Sequence, residues 1–185
     1  MKKINKISIV YSGTRSTDKM LSVVKKIIKD SGSELVSSAN IKKLDKVFKN
    51  KAATSDLILV LGGDGTMIGS IRSLCDLKTP FLGINLGTVG FLTDLSTNKI
   101  EGLKEILNGN YIEEDRPVFE TFSENLKKEI FLNEVVIHSG SVTKMLELEL
   151  SIQDQVIYNI RADGLIISTS TGSTAYSYSG GGPII

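Results

Sequence analysis

The apolar run DLILVL at residues 56–61, followed directly by the glycine-rich segment GGDGT at 62–66, constrains the fold more than any other feature of the chain. A strand with no apolar–polar alternation is typical of the centre of a parallel sheet, where both faces are covered. Residues 67–75 then carry apolar side chains at helical spacing. The sequence therefore predicts a strand, a tight loop and a helix, which is the repeating unit of an α/β sheet.

Segments on both sides repeat this unit. The pattern predicts a strand over 4–11, a helix capped by Ser16 or Thr17, a strand over 34–37, a helix over 41–49 and a strand over 80–86. Asn98 and Glu101 have the spacing of a capping box for one more helix. Consecutive strand–helix–strand units imply right-handed crossovers. We therefore predict an α/β fold in which residues 1–98 form a Rossmann-like open parallel sheet.

The pattern changes after residue 98. Strands are predicted over 111–122, 128–138, 145–152 and 155–160, with a helix beginning near Thr174. Residues 99–185 are therefore expected to form a second, antiparallel β-rich domain of β-sandwich type. The chain ends on the apolar residues Ile184 and Ile185, whereas a terminus is usually polar and frayed. We expect this second domain to be incomplete in the 185-residue sequence.

Composition excludes several classes of protein. Lys and Arg number 22 against 21 Asp and Glu, a formal net charge of +1, which gives no bulk attraction to nucleic acid or to an anionic membrane. The single cysteine and the single histidine exclude an intrachain disulfide and a His-rich metal site. No apolar run reaches the roughly 18 residues of a membrane span. A cytoplasmic protein without nucleic-acid or membrane partners is expected.

The loop GGDGT has the features of a phosphate-binding loop. Glycines allow the backbone to approach a bulky anion closely, and the N–H groups at the start of the following helix carry partial positive charge. An acid among them is costly by repulsion, which predicts a chemical task for Asp64: accepting a proton from a hydroxyl or holding Mg²⁺. The alternative is a glycine-rich turn in which Asp64 caps the helix. The P-loop motif is absent, and Ile68 stands where a dinucleotide fingerprint needs glycine.

GGDGT after an apolar strand resembles the signature of the superfamily of NAD kinases, diacylglycerol and sphingosine kinases and phosphofructokinases. Three further segments, GINLGTVGFLTDL (83–95), LNEVVIH (132–138) and RADGLIISTSTGSTAYSYSGGGPI (161–184), are similar to NAD kinases in particular. That resemblance implies a homo-oligomeric kinase that phosphorylates the 2′-hydroxyl of the adenosine ribose of NAD. It also implies ATP as donor, a divalent metal cation such as Mg²⁺, and NADP as product.

The resemblance also implies roles for individual residues. Asp64 matches the proposed catalytic base of the family. Gly63, Gly65 and Thr66 belong to the same loop, and Phe91 lines the nucleotide pocket. The other residues implied to bind the dinucleotide are Asn133, Glu134, Arg161, Asp163, Thr171, Thr174, Ala175, Tyr176 and Ser179. Arg161 resembles the arginine of members that prefer NAD to NADH. Thr66 resembles members that use ATP and not polyphosphate.

Other interpretations stay open from the residues alone. Asn133 and Glu134 also fit a polar pair at a strand edge or domain interface, Asp163 also fits a turn, and Tyr176 also fits a half-buried aromatic residue. At the level of function, a lipid kinase of the diacylglycerol type shares GGDGT, although it would need a membrane-binding surface that the sequence does not display. An inactive NAD-binding fragment is the non-enzymatic alternative.

Overall fold

A computed structural model describes residues 2–87, 90–124, 126–140 and 144–185, and the predicted loop residues 88 and 89 lie outside the described residues. The strands are β1 (Lys6–Tyr11), β2 (Glu34–Asn40), β3 (Leu57–Leu61), β4 (Phe81–Asn85), β5 (Leu95–Ser96), β6 (Phe119–Ser123), β7 (Leu126–Phe131), β8 (Glu134–His138), β9 (Leu146–Ile152), β10 (Gln155–Ala162) and β11 (Gly164–Ser168). The helices are α1 (Arg15–Asp30), α2 (Lys46–Ala52), α3 (Asp64–Leu74), α4 (Gly102–Leu107) and α5 (Tyr176–Ser179).

The first five strands form one parallel sheet in the order β2-β1-β3-β4-β5. β3 is buried along its whole length, as the unbroken apolar run predicts. The predicted open α/β sheet is therefore confirmed. The strand order reverses between β1 and β3, and in open α/β sheets ligands bind outside the carboxyl ends of the strands at such a point. GGDGT follows β3 directly and so lies at this point of the sheet.

The core of the sheet is built from the apolar side chains of β1, β3 and β4 with helices packed on them. Val24, Ile27 and Ile28 form the buried stripe of α1. Leu103 and Leu107 of α4 are fully buried in the same cluster. Burial of a side chain of this size contributes about 1.5–3 kcal/mol. These contacts hold the strands whose carboxyl ends carry the polar loops.

Several predicted boundaries in this region are wrong. Helix α1 begins at Arg15 because Thr14, and not Ser16 or Thr17, is its N-cap, with Thr17 completing a capping box. The predicted helix over 41–49 is a 3₁₀ turn at Ile41–Lys43 followed by α2, which is capped by Asp45. The Asn98–Glu101 capping box does not form, because Thr97–Lys99 is a 3₁₀ turn and α4 begins at Gly102. The strand β5 has only two residues, which is too short to give a recognisable strand pattern in the sequence.

The later strands pair antiparallel, which confirms the predicted β-rich second region. β6 pairs with β7, β8 with β11, and β9 with β10. The predicted strand over 111–122 is mostly wrong, since only Phe119–Ser123 is a strand there. The predicted strand over 128–138 is interrupted at 132–133, where Leu132 is buried and the Asn133 carbonyl accepts a hydrogen bond from Thr169. β11 was not predicted.

The chain divides into two compact units, Met1–Glu114 and Asp115–Ile185. The division falls later than the boundary predicted at 98/99, because α4 packs on the core of the first unit and Ile4 N–H donates to the Leu107 carbonyl at 3.0 Å. The start of the second predicted domain therefore belongs by contact to the first unit. Within the described ranges, no helix combines the length and apolar character needed to cross a membrane.

Candidate active site

Asp64 lies where β3 ends and α3 begins. Gly63 is the N-cap of α3, and its carbonyl accepts the N–H groups of Thr66 and Met67 at 2.9 and 3.2 Å. Asp64 is the first residue of the helix, so the interpretation of Asp64 as the helix cap is wrong. An acid in the first turn is also favoured by the helix dipole. The side chain is therefore available for contacts outside its own helix.

The Asp64 carboxylate is held by the segment that follows β4. Oδ2 accepts the N–H of Phe91 at 2.8 Å, and Oδ1 accepts the N–H of Leu92 at 3.1 Å. A Cβ added to Gly90 would lie 2.2 Å from Oδ1, so only glycine allows this close approach. Charge-assisted bonds from two backbone donors fix the orientation of the carboxylate. We call Asp64 with residues 90–92 the acid clasp.

Polar side chains missed in the sequence analysis shape the same loop. Asn85 is buried at the end of β4, where its Oδ1 accepts the Gly87 N–H at 2.8 Å and its Nδ2 donates to Thr93 Oγ1 at 3.1 Å. Asp94 Oδ2 accepts the Gly83 N–H at 2.8 Å. An amide ending an otherwise apolar strand was the available signal for Asn85. Together these bonds fix both sides of the segment that carries Phe91.

The surface next to Asp64 is open. The Phe91 side chain is 60% exposed, and Gly63 and Gly65 are exposed as well. A Cβ added at either glycine would meet no described heavy atom within 4 Å. Neither glycine is therefore required by packing. Exposed backbone at a helix N-terminus is an arrangement that can bind phosphate groups, and phosphate binding by this loop stays a prediction.

In the second unit, Asn133 and Glu134 meet the segment after β11. The Asn133 carbonyl accepts the N–H of Thr169 at 2.9 Å and the hydroxyl of Ser168 at 3.3 Å. A Cβ added to Gly172 would lie 2.1 Å from that carbonyl oxygen. Residues 168–172 are therefore packed directly on the start of β8, where two of the predicted site residues lie.

Glu134 carries a buried acceptor. Its Oε2 is buried and finds no hydrogen-bond partner among the described residues. Burial raises the pKa of the Glu134 carboxyl above its usual value, while the backbone N–H of Tyr176 acts in the opposite direction. An unpaired buried oxygen costs free energy until a donor reaches it. The hydroxyls of a ribose are donors of this kind.

The predicted residues of the last segment differ in exposure. Thr171 is buried and Ala175 is half-buried, whereas Thr174, Tyr176 and Ser179 are exposed. The Tyr176 side chain is 56% exposed, so about half of it is accessible to solvent. The backbone of Tyr176 reaches Glu134. The structure thus brings Asn133 and Glu134 together with residues 171–176.

Arg161 and Asp163 lie elsewhere in the second unit. Arg161 Nε is 3.5 Å from Glu147 Oε1 on the neighbouring strand, and Asp163 is exposed in the bend between β10 and β11. In the β8–β11 pair, Gly164 faces His138 at one end and Ser168 faces Glu134 at the other. The two ends are about 13 Å apart at the rise of a strand. Asp163 and Glu134 of one chain therefore lie at opposite ends of this strand pair and not side by side.

Comparison with known proteins identifies the family. Residues 5–111 match the ATP-NAD kinase N-terminal domain, and residues 132–185 match the ATP-NAD kinase C-terminal domain. The first match alone spans more than half of the chain. The chain belongs to the ATP-NAD kinase family.

Curated members of the ATP-NAD kinase family resemble the chain over most of its length. The NAD kinase of Chromohalobacter salexigens is 47% identical over 135 residues, which cover 70% of this chain and 46% of that protein. The NAD kinase of Magnetococcus marinus is also 47% identical over 135 residues, covering 70% and 45%. The chain thus spans about half the length of the curated relatives it matches.

Solved structures agree with this assignment. An NAD kinase from Archaeoglobus fulgidus in complex with ATP matches with a TM-score of 0.75 and 27% identity, covering 97% of this chain and 67% of that one. A yeast NADH kinase complexed with NADH matches with a TM-score of 0.71 and 19% identity, covering 100% and 63%. At that identity the second match supports the fold alone.

The described residues of this ATP-NAD kinase family member do not form a metal site from protein ligands alone. Among them, no group of three or more His, Cys, Asp or Glu side chains could hold an ion. Mg²⁺ commonly binds through one or two carboxylates and the phosphates of its substrate. The carboxylate of Asp64 already accepts two backbone N–H groups. The single carboxylate at this loop is therefore compatible with a cation that would be bound mainly by substrate phosphates.

Proposed function

We propose that this chain is part of an NAD kinase, which transfers the γ-phosphoryl group of ATP to the 2′-hydroxyl of the adenosine ribose of NAD and forms NADP. The observation that carries the proposal is the acid clasp: in a member of the ATP-NAD kinase family, Asp64 of GGDGT stands at the carboxyl end of β3 with a fixed orientation. An oriented carboxylate at a phosphate-binding loop suits the removal of a proton from an alcohol during phosphoryl transfer.

In the proposed reaction, the ribose 2′-oxygen attacks the γ-phosphorus of ATP in line with the leaving ADP. The new O–P bond forms as the bond to ADP breaks, and the hydroxyl proton passes to Asp64. Each carboxylate oxygen accepts one backbone N–H and keeps a second lone pair, so the proton has a place to go. Backbone N–H groups at the start of α3 offset charge on the phosphate oxygens.

Residues of the second unit are proposed to bind NAD. The buried Glu134 oxygen and the exposed groups at Thr174 and Tyr176 offer acceptors, donors and an aromatic face for the ribose and adenine. Arg161 is proposed to favour NAD over NADH. In the first unit, Thr66 is proposed to favour ATP over polyphosphate. Initial rates with each pair of substrates test both specificity proposals.

A divalent cation, Mg²⁺, is proposed to arrive with ATP, where it would neutralise phosphate charge. No other step is assigned to it. The cytoplasm is the proposed location and a homo-oligomer, dimer or tetramer, the proposed assembly. Light scattering of the purified protein tests the assembly.

The test is NADP formation by the purified 185-residue chain. NAD, ATP and MgCl₂ are supplied, and NADP is measured with an NADP-specific dehydrogenase. A hybrid joins Ile185 to the part of the Chromohalobacter salexigens NAD kinase that follows its matched region. NADP formation by either form supports the proposal, and we expect it at least from the hybrid.

Two outcomes contradict the proposal. One is absence of NADP from both forms while the Chromohalobacter salexigens protein produces it under the same conditions; NAD binding in calorimetry would then identify an inactive binding fragment. The other is phosphorylation of diacylglycerol instead of NAD, seen by thin-layer separation of the products.

A further inference from the structure

Three backbone groups of the second unit bond to Thr169, which is 2% exposed. Its Oγ1 donates a hydrogen bond to the Leu132 carbonyl and accepts the Gly172 N–H at 3.0 Å. Its own N–H donates to the Asn133 carbonyl at 2.9 Å. One buried threonine thus uses its backbone and both functions of its hydroxyl to join strand β8 to the loop after β11.

The groups on either side of this junction are those proposed to bind NAD. Leu132 and Asn133 immediately precede Glu134, and Gly172 lies between Thr171 and Thr174. The separation is set tightly, since Gly172 packs against the Asn133 backbone with no room for a Cβ. The hydroxyl of Thr169 therefore holds the two groups of residues at a fixed spacing without being part of either.

We infer that Thr169 is a positioning residue for NAD: it acts through the Asn133–Glu134 backbone and through the placement of Thr171, Thr174 and Tyr176, and does not itself touch the dinucleotide. The inference rests on the proposed function, because it assumes that these two groups bind NAD. A displacement of about 1 Å in such groups costs roughly 10²-fold in the efficiency of an enzyme. Because both groups must reach the dinucleotide together, we expect the hydroxyl that sets their spacing to contribute to NAD affinity.

The decisive comparison is Thr169→Val against Thr169→Ser. Valine has nearly the shape of threonine, but it leaves the Leu132 carbonyl and the Gly172 N–H buried without a partner. Serine keeps the hydroxyl. We expect Thr169→Val to weaken NAD binding in calorimetry by roughly 10- to 100-fold, and Thr169→Ser to stay within about threefold of the parent chain.

Ser173→Ala is the matched control from the same loop. The Ser173 hydroxyl is also buried, but it bonds to the Ser170 carbonyl at 2.7 Å and to the backbone of Ile185, with no bond to residues 132–134. If buried hydroxyls of this loop matter only for stability, Ser173→Ala and Thr169→Val should weaken NAD binding equally. We expect the control to stay within about threefold.

A second readout follows the junction itself. Exchange of the Gly172 amide hydrogen, followed by NMR, should become faster in Thr169→Val and remain slow in Thr169→Ser. In the form that makes NADP, the KM for NAD should rise while the KM for ATP stays unchanged. Thr169→Ala, which removes the hydroxyl without adding a branch, replaces Thr169→Val if valine does not fold.

The inference is overturned if Thr169→Val binds NAD like the parent chain, if Ser173→Ala is equally impaired, or if neither the valine nor the alanine variant folds. Failure of the proposed function looks different. The parent chain and the hybrid then make no NADP, while NAD binding still separates the valine from the serine variant. A parent chain that binds no NAD overturns both.

Discussion

The two units present two acids in opposite situations. Asp64 in the first unit gives both carboxylate oxygens to backbone N–H groups of Phe91 and Leu92, so its charge is satisfied by the fold. Glu134 in the second unit has a buried oxygen with no partner among the described residues, and its pKa is raised by burial. The first acid is held in one orientation by its own unit, whereas the second has an oxygen that the described residues leave without a donor.

Replacement of Asp64 should give the largest effect. Asp64→Asn keeps the size of the side chain but removes the base, so turnover should fall by roughly 10²–10⁴-fold while NAD affinity stays within about tenfold. Steady-state kinetics of the NADP-forming protein together with calorimetry measures both. Asp76→Asn, at an exposed acid beyond the end of α3, is the control and should retain activity. Unchanged turnover in Asp64→Asn would contradict the proposal that Asp64 is the catalytic base.

Alanine substitution at Gly172, in the second unit, should reduce stability more than alanine substitution at Gly90, in the first unit. At Gly172 the added Cβ meets the Asn133 backbone, which cannot move aside, and the expected loss in unfolding free energy is about 3 kcal/mol. At Gly90 the Cβ meets the Asp64 side chain, which can rotate away. Gly90→Ala should therefore cost less stability but lower turnover by displacing the acid. Urea unfolding measures the loss of stability, and steady-state kinetics measures turnover. Equal destabilisation by the two substitutions would contradict the expected difference.

Asn85→Leu tests whether the first acid depends on the loop that holds it. Leucine leaves the Gly87 N–H and the Thr93 hydroxyl without the amide, a cost of about 1–3 kcal/mol. Turnover should fall because Phe91 and Leu92 no longer fix Asp64. Thr93→Val removes only one of these bonds and should have the smaller effect. Thermal unfolding and kinetics of both variants give the order, and the reverse order would contradict it.

Glu134→Gln should give the smallest effect on the free protein, visible as a change in pH dependence. The pKa of Glu134 is raised in the folded chain, so its contribution to stability is present below the unfolded value of 4.5 and is lost as the pH rises through the folded pKa. Glutamine removes that decline. Urea unfolding of both proteins across this pH range should therefore diverge as the pH rises. Parallel curves would mean that Glu134 is not held in a desolvated setting.

Much of the first unit could be predicted from the sequence because its pattern is local. The apolar run before GGDGT and the helical stripe of α1 depend on periodicity within one segment, and both are confirmed. The capping box at Asn98 was wrong because α4 is placed by packing of Leu103 and Leu107, and not by its cap. Local pattern is a weak guide where tertiary contacts decide.

The candidate site could be predicted only in part. The resemblance located Asp64 and Glu134, but it did not point to Asn85 and Thr169, the residues that hold their surroundings. Asn85 acts through the Gly87 N–H and the Thr93 hydroxyl, and Thr169 acts through the Leu132 carbonyl, which lies far away in the sequence. A buried threonine and a buried asparagine look like ordinary polar residues until the fold supplies their partners.

The acid clasp has a consequence for sequence variation at residues 91 and 92. Asp64 is held by peptide N–H groups of residues 91 and 92, which every residue except proline supplies. Replacement of Phe91 by any residue other than proline therefore keeps the N–H that Asp64 Oδ2 accepts. Side chains at this surface can therefore change between related sequences while the Asp64 carboxylate keeps its orientation.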